Sequence, residues 1–380
     1  MFACGPTVQD NVHMGHAKTY LAFDVLARWL LKRGFKVQFL LNITDIDDKI
    51  FDRAKRENVP YMKIADKFFG EFLTDIESLN IVTVSKIERV SNFVRETIRL
   101  VEDLLDKQKA YKLDGNTYFD ISKADHFGKL SHQSEYQLLM KQIDAAPGKR
   151  NSVDFLLWRS VPDQTDGIWD SQSLGTGRPG WHIEDSAIAF SQFGGPYDLH
   201  GGATELIFPH HEAELAQDEA LSGQIPFVSH WMHTGLLLNH GEKMSKSLGN
   251  DVKIQDVLKN SSADQIRFYF LKKHYRESYD YDADSLSRAK DEFEPIRKAS
   301  SASAISRKSR SESHSKTGDE ENDTFLRFAQ AMNDDLNTPK ALQILAKLSE
   351  EVTSSTNRSE LGDLGPVFWE MAESLGFRFF

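Results

Sequence analysis

Cysteine is almost missing from this chain. Among 380 residues only Cys4 carries a thiol, so no internal disulfide can form. A lone thiol is usually a buried small hydrophobe, but it can also act as a nucleophile or a metal ligand. Long apolar runs are missing as well. No stretch approaches the ~20 residues needed to span a bilayer. The N-terminus lacks the basic start and long apolar core of a secretory signal. Both absences make the cytoplasm the expected location, with no membrane partner. Positive charge is also short: 46 Lys and Arg stand against 57 Asp and Glu, a net charge of -11. That balance excludes a generally basic nucleic-acid binder, so any RNA contact must use local patches. The remaining composition, 40% hydrophobic and 27% charged, is that of a globular protein with room for two or three domains.

The chain is organised around Cys4 to His16, CGPTVQDNVHMGH. An apolar series with helical spacing follows at once: Tyr20, Leu21, Phe23, Val25, Leu26, Trp29 and Leu30. His13 and His16 therefore stand at the start of a helix, just after a short strand over Met1 to Ala3. A helix N-terminus presents unpaired N–H groups and the positive end of its dipole, which suits phosphate. Gly15 would let a flat ligand approach the backbone. On their own, the two histidines would more often be simple helix caps. A second cluster lies far downstream, Lys243-Met244-Ser245-Lys246-Ser247, followed by LGN. Lysines in a polar loop are ordinarily solvated surface, yet here they form a second phosphate-binding group. Together HMGH and KMSKS resemble the paired signatures of class I aminoacyl-tRNA synthetases.

Taken in order, residues 1 to 43 read as strand, helix, strand. The helix ends near Arg33 at Gly34, and Lys36 to Ile43 reads as a buried parallel strand. This unit begins a doubly wound α/β sheet, whose ligands bind at the carboxyl ends of the strands. Cys4, His13 and the turn after Ile43 are expected on that rim. The turn holds Asp45, Asp47 and Asp48, suited to helix capping, to an amino group, or to supporting a neighbouring loop. Residues 61 to 110 read as helical. AYKL and NTYFDI around Asp114-Gly115 predict a hairpin. Residues 110 to 177 otherwise read as an irregular insertion anchored by Trp158 and DFLLW. GRPGWHIEDSAIAF reads as a turn and an apolar helix. DLHGGATELIFPHHEAELAQ reads as a Gly-Gly turn, a strand LIF and a helix from near Pro209, and WMHTGLLL as a buried strand. The expected division is a Rossmann-like catalytic domain over 1–255, a helical connective region over 256–298 and a Ser-rich linker over 299–320. A helical domain over 321–380 completes it.

On the helix expected after Pro209, His210 and Glu214 are four residues apart and share a face, a common way to present two metal ligands. An amphipathic helix with a polar face would explain the pair alone. With Cys4 and Asp185 on segments predicted to meet at the same rim, the four make a plausible zinc site.

CGPTVQDNVHMGH, NITDIDDKI, GRPGWHIEDS, HGGATELIFPHHEAE and KMSKSLGN, in this order, resemble the cysteinyl-tRNA synthetases. AMNDDLNTP at 331 to 339 is similar to that family's helical tRNA-contacting domain. The resemblance covers nearly the whole chain. It implies ATP-dependent activation of L-cysteine to cysteinyl-adenylate, then transfer to the 3′ end of tRNA(Cys). It also implies one Zn²⁺ per chain to select the thiol and Mg²⁺ with ATP. In the family the zinc is held by two Cys, a His and a Glu. Carried over by motif, these are Cys4, His210 and Glu214, with Asp185 where the second Cys should stand. An aspartate keeps the negative charge but is a harder ligand. His13, Gly15, His16, Lys243 and Lys246 would bind ATP, the histidines and lysines stabilising the transferring phosphates. Thr44 and Trp181 would border the bound cysteine. The lysine loop would move during the reaction. No separate editing domain is expected, because a metal discriminates thiol from alcohol where an apolar pocket cannot. The resemblance also implies a stretch before Cys4 and a small anticodon-contacting end, so the helical domain reads as truncated. The chain is expected to be a monomer. Two alternatives stay open: a cysteine:amino-sugar ligase of thiol-cofactor synthesis, and a non-catalytic synthetase-like RNA-binding protein.

Overall fold

The computed structural model describes residues 1–161, 166–304, 323–355 and 358–379. Contacts divide the chain into two compact units. One comprises Met1–Asn11, Gln38–Phe72 and Val84–His233; the other comprises Val12–Val37, Leu73–Thr83 and Thr234–Phe380. The contacts therefore do not follow the expected boundary at 255. The helix after HMGH groups with the C-terminal part of the chain.

The first unit is built on a five-stranded sheet of order β10-β9-β1-β2-β3. Its strands are β1 Phe2–Ala3, β2 Leu40–Ile43, β3 Lys86–Arg89, β9 Tyr197–Ala203 and β10 Val228–Thr234. β1 runs parallel to both β2 and β9, and β2 parallel to β3, as a doubly wound sheet requires. The strand expected over 36 to 43 forms only at 40 to 43. β3, KIER, was hidden inside the stretch read as helical, because its polar side chains carry no apolar signal.

The expected irregular insertion is instead a second, five-stranded sheet of order β4-β5-β6-β8-β7. The predicted hairpin is present: β4 Ala110–Leu113 pairs antiparallel with β5 Asn116–Phe119. Asp114 and Gly115 turn it with φ of 49° and 82°. β6 Phe155–Ser160, β7 Trp169–Ser171 and β8 Gly175–Pro179 complete the sheet. β8, GTGRP, looks like a loop in sequence. Its glycine is required, because a Cβ at Gly177 would lie 2.2 Å from the Arg159 carbonyl oxygen of β6. Trp158 is fully buried. It joins one apolar core with Phe2 and Leu40 of the parallel sheet and Phe119 and Phe155 of the antiparallel one. Three helices add to this core: α4 Val94–Asp106, α6 Trp181–Phe193 and α7 Glu212–Ser222. Further helices are α2 Asp48–Glu57, α3 Tyr61–Ser78, which runs across the division, and the short α5 Glu135–Leu139.

The segment 201–211 differs from expectation. Gly201 and Gly202 lie within β9, LIF is no strand but spans the end of a short helical turn, Thr204–Leu206, and an extended Phe208 (φ -136°, ψ 129°), and α7 starts at Glu212 rather than near Pro209. Gly202 leaves room for neighbouring side chains: a Cβ there would sit 2.8 Å from Leu206 Cδ1 and 3.6 Å from Cys4 Cβ.

The second unit contains α1 Met14–Lys32, which ends at Arg33 before Gly34 with φ of 85°. A three-stranded sheet of order β12-β11-β13 accompanies it: β11 Leu237–Asn239, β12 Glu242–Lys243 and β13 Tyr279–Asp280. The helices that follow are α8 Ile254–Leu258, α9 Ala263–Leu271 and α10 Ala283–Ala302. α10 occupies the start of the stretch read as a linker; residues 305–320 of that stretch lie outside the described residues. The C-terminal helices are α11 Asp323–Asn333, α12 Thr338–Ser354 and α13 Arg358–Ser374. Two links tie α1 to this part. Trp29 Nε1 donates to Asn333 Oδ1 at 2.9 Å. Asp24 and Arg267, both fully buried, pair at 2.9 Å. Arg267 also donates to the carbonyls of Leu79, Asn80 and Leu375. Among the described residues no helix is long and apolar enough to cross a membrane.

Candidate active site

In the second unit His13 is the N-cap of α1. The Gly15 N–H donates to His13 Nδ1 at 3.1 Å, and the His13 N–H donates to His16 Nδ1 at 3.3 Å. The histidines do cap the helix, and the capping fixes their tautomers. With both Nδ1 atoms accepting, each ring carries its proton on Nε2. The rings lie 4.0 Å apart. Burial, then the charges of Lys246 and Lys243, push His13 down to about 3. Burial, then His13 and the same two lysines, holds His16 well below its ordinary value. Both are therefore neutral donors near pH 7, and both feel the two lysines. Gly15 has a local reason to be glycine: a Cβ there would meet the His13 ring at 2.9 Å.

Lys243 ends β12, and Lys246 opens a short turn, Lys246–Leu248. Asn250 closes the loop: its Oδ1 accepts from the Ser245 N–H at 2.8 Å and its Nδ2 donates to the Lys243 carbonyl at 3.0 Å. Met244 is buried and anchors the loop while its neighbours face solvent.

In the first unit Cys4 follows β1, Asp185 lies on α6, His210 precedes α7 and Glu214 lies on it. All four are buried, with donor atoms within 4.8 Å of one another. Cys4 Sγ is 3.4 Å from Asp185 Oδ2. His210 Nε2 is 3.2 Å from Asp185 Oδ2 and 3.1 Å from Glu214 Oε1. Asn42 of β2 donates to the other Asp185 oxygen at 2.5 Å and fixes that carboxylate. His210 Nδ1 lies 2.9 Å from His182 Nδ1, so a proton between them leaves Nε2 available to a metal.

A second donor set was missed in the sequence. His200 and His211, with Cys4 and Glu214, also bring donors within 4.8 Å. Cys4 Sγ is 3.1 Å from His211 Nε2, His200 Nε2 is 2.9 Å from Glu214, and His211 Nδ1 is 2.8 Å from His233. The His-His doublet and the His before Gly-Gly are the signal in the sequence, masked because Gly-Gly suggests a turn where the structure has β9.

The donor chemistry fits a metal. Burial, then the charges of Glu214 and Asp185, raises the Cys4 thiol well above its ordinary value. Burial raises the Glu214 carboxyl, His210 opposes this, and Asp185 adds to the rise. Burial would lower His210, but Glu214 and Asp185 outweigh it and hold the imidazole above its usual value. Glu214 Oε1 is buried and, though 3.1 Å from His210 Nε2, accepts no aligned hydrogen bond. A divalent cation would reverse the cost of gathering these anions and satisfy that oxygen.

Trp181, the first residue of α6, is half-exposed and stacks on His210 at 4.3 Å. Thr44 is buried, two residues beyond Asn42, with its backbone paired to Pro6 and Val8. The three aspartates divide their work. Asp47 caps α2. Asp45 accepts from Arg89 and Ser91 and so supports a neighbouring loop. Asp48 pairs with Arg159.

Residues 1–291 match the model of the "tRNA synthetases class I (C) catalytic domain". Among curated proteins, the cysteine–tRNA ligase of Methanococcus maripaludis is 39% identical over 362 residues, covering 93% of this chain and 75% of that protein. The chain belongs to the cysteine–tRNA ligase family. A second relative in the family, from Legionella pneumophila, is 38% identical over 381 residues, covering 99% of this chain and 80% of that protein. Residues 327–380 match a DALR domain, so the family's catalytic and helical parts are both present. Solved structures agree on the fold. Methionyl-tRNA synthetase of Mycobacterium tuberculosis, bound by methionyl-adenylate, aligns with a TM-score of 0.64 at 16% identity, covering 98% of this chain and 89% of that one. The ternary complex of agnB2 LeuRS with tRNA and LeuAMS, from Agrobacterium radiobacter K84, aligns with a TM-score of 0.70 at 12% identity, covering 99% and 84%.

Proposed function

We propose that this chain is a cysteine–tRNA ligase that activates L-cysteine with ATP and transfers it to the 3′ end of tRNA(Cys). The observation that carries the reading is the buried Cys4, Asp185, His210 and Glu214 cluster in a chain that also holds the two phosphate signatures. The DALR match favours tRNA over an amino sugar as acceptor.

In the proposed mechanism His13 and His16, neutral at working pH, donate from Nε2 to ATP. Neutral donors bind phosphate without a charge that must be neutralised when pyrophosphate leaves. Lys243 and Lys246 offset the charge that builds on the departing pyrophosphate, with Mg²⁺ as the usual partner of ATP. Cys4, Asp185, His210 and Glu214 would hold one Zn²⁺. When bound, that ion supplies a soft, electron-accepting seat that prefers the sulfur of cysteine to the oxygen of serine. Asn42 and His182 orient the donors, and Trp181 and Thr44 border the amino acid. We place the protein in the cytoplasm.

The test is ATP–pyrophosphate exchange by the zinc-supplemented protein, with cysteine and with serine, followed by aminoacylation of bulk tRNA. Exchange with cysteine only, followed by charging, is expected. Exchange without charging would move the reading to the amino-sugar ligase, and no exchange would sink it.

A further inference from the structure

Lys18 lies on α1 one turn beyond Gly15 and is buried. Its ammonium donates to three backbone carbonyls: Gly235, Glu277 at 2.9 Å and Tyr275 at 3.1 Å. An ammonium has three N–H groups, so all are used within the fold and none is left for a substrate. The three carbonyls belong to the segments that enter β11 and β13. These strands run parallel, Leu237 beside Tyr279, and β11 pairs antiparallel with β12, Leu238 beside Lys243. Lys18 therefore gathers the root of the small sheet that carries the first signature lysine. The approach is too close for a side chain at Gly235, where a Cβ would lie 2.3 Å from Glu277. The next residue helps, Thr19 Oγ1 lying 2.8 Å from Thr234 Oγ1.

The far end of the lysine loop is held by the same helix. The Met14 N–H donates to the Val252 carbonyl at 2.9 Å, and His13 bridges to Lys253. Residues 240–251 thus leave and rejoin the first two turns of the helix that presents His13 and His16.

We propose that Lys18 is a positioning residue for adenylation: it sets the root of the lysine loop against the signature histidines and acts through Lys246. This rests on the reading of Lys246 given above. An uncharged side chain at 18 takes away the donor that these carbonyls share, Tyr275 keeping the Gly235 N–H at 2.9 Å, and loosens the root of the loop, while the metal cluster lies in the other unit.

The test is cysteine-dependent pyrophosphate exchange by the full-length, zinc-loaded protein, with active sites counted, for Lys18→Met, Lys18→Arg, Lys246→Ala and the double variant Lys18→Met/Lys246→Ala. Lys18→Met should lower the rate per active site by about tenfold or more, with the KM for ATP within about threefold and zinc content unchanged. Lys18→Arg, which also presents donors, should recover most of the rate. The double variant should be no slower than Lys246→Ala alone, within about threefold, because coupled residues are non-additive. If Lys18→Met does not accumulate, Lys18→Gln carries the same comparison. A rate per active site unchanged in Lys18→Met overturns the inference. So does a double variant that loses the product of the two single losses, or a loss of zinc alongside the rate. If Lys246→Ala alone is unimpaired, the reading of the lysine loop fails first, and this inference falls with it.

Discussion

Acid should destabilise this protein through the histidine that caps its signature helix. His13 has its pKa lowered to about 3 by burial and then by Lys246 and Lys243; the unfolded value is about 6.5. Between those values the unfolded chain binds a proton that the folded chain refuses, so stability falls as pH falls from 6.5 toward 3. At pH 5 the gap is about 1.5 units, or about 2 kcal/mol, and below pH 3 it reaches about 5 kcal/mol. His16 acts in the same direction. His13→Asn keeps a good N-cap and removes the titration. Urea unfolding of both proteins at pH 7, 6, 5 and 4, at constant ionic strength, reads the difference directly. Metal ligands that titrate in acid are common to both proteins and cancel. The wild type should lose up to about 1.4 kcal/mol per pH unit more than the variant below pH 6. Parallel curves would refute the assignment of a buried, neutral His13.

Three further outcomes are expected. Lys246→Ala should lower the adenylation rate by about 10²–10³ and weaken ATP binding much less, as pre-steady-state pyrophosphate exchange would show. Asp185→Asn should lower zinc content and weaken rejection of serine, whereas Asp185→Cys should retain zinc with a longer bond to that ligand, about 2.3 Å. Metal analysis and X-ray absorption would check both, and an Asp185→Asn protein with wild-type zinc would remove Asp185 from the ligands. Arg267→Met removes one of the two cations on the buried Asp24, which keeps Arg28 at 2.8 Å and the Thr83 hydroxyl, and a donor to three carbonyls, so it should cost about 1–3 kcal/mol; a loss below about 0.5 kcal/mol in urea unfolding would contradict that.

Local signals proved legible and long-range ones did not. α1 was readable because its caps and apolar spacing are local, and the Asp114-Gly115 hairpin because its turn residues dictate the pairing. Cys4, Asp185, His210 and Glu214 were legible as donors from residue type and from the family's motifs. β8 was not, because GTGRP carries no apolar alternation of its own and becomes a strand only by pairing with β6 on one side and β7 on the other. His200 is hidden in a similar way: Gly201-Gly202 reads locally as a turn but lies inside β9. The grouping of α1 with the C-terminal helices rests on Trp29–Asn333 and Asp24–Arg267, pairs that no local pattern announces.

The scarcity of cysteine has a practical consequence. The chain's single sulfhydryl, at Cys4, is also one of the proposed zinc donors. Colorimetric thiol titration of the intact protein therefore has no background. Every equivalent that reacts reports on one atom, and its rate before and after chelation reads zinc occupancy without isotopes or crystals. An alkylating reagent would for the same reason modify one donor and leave the ATP-binding residues chemically untouched, so the loss of cysteine selection could be separated from the loss of nucleotide binding in a single sample.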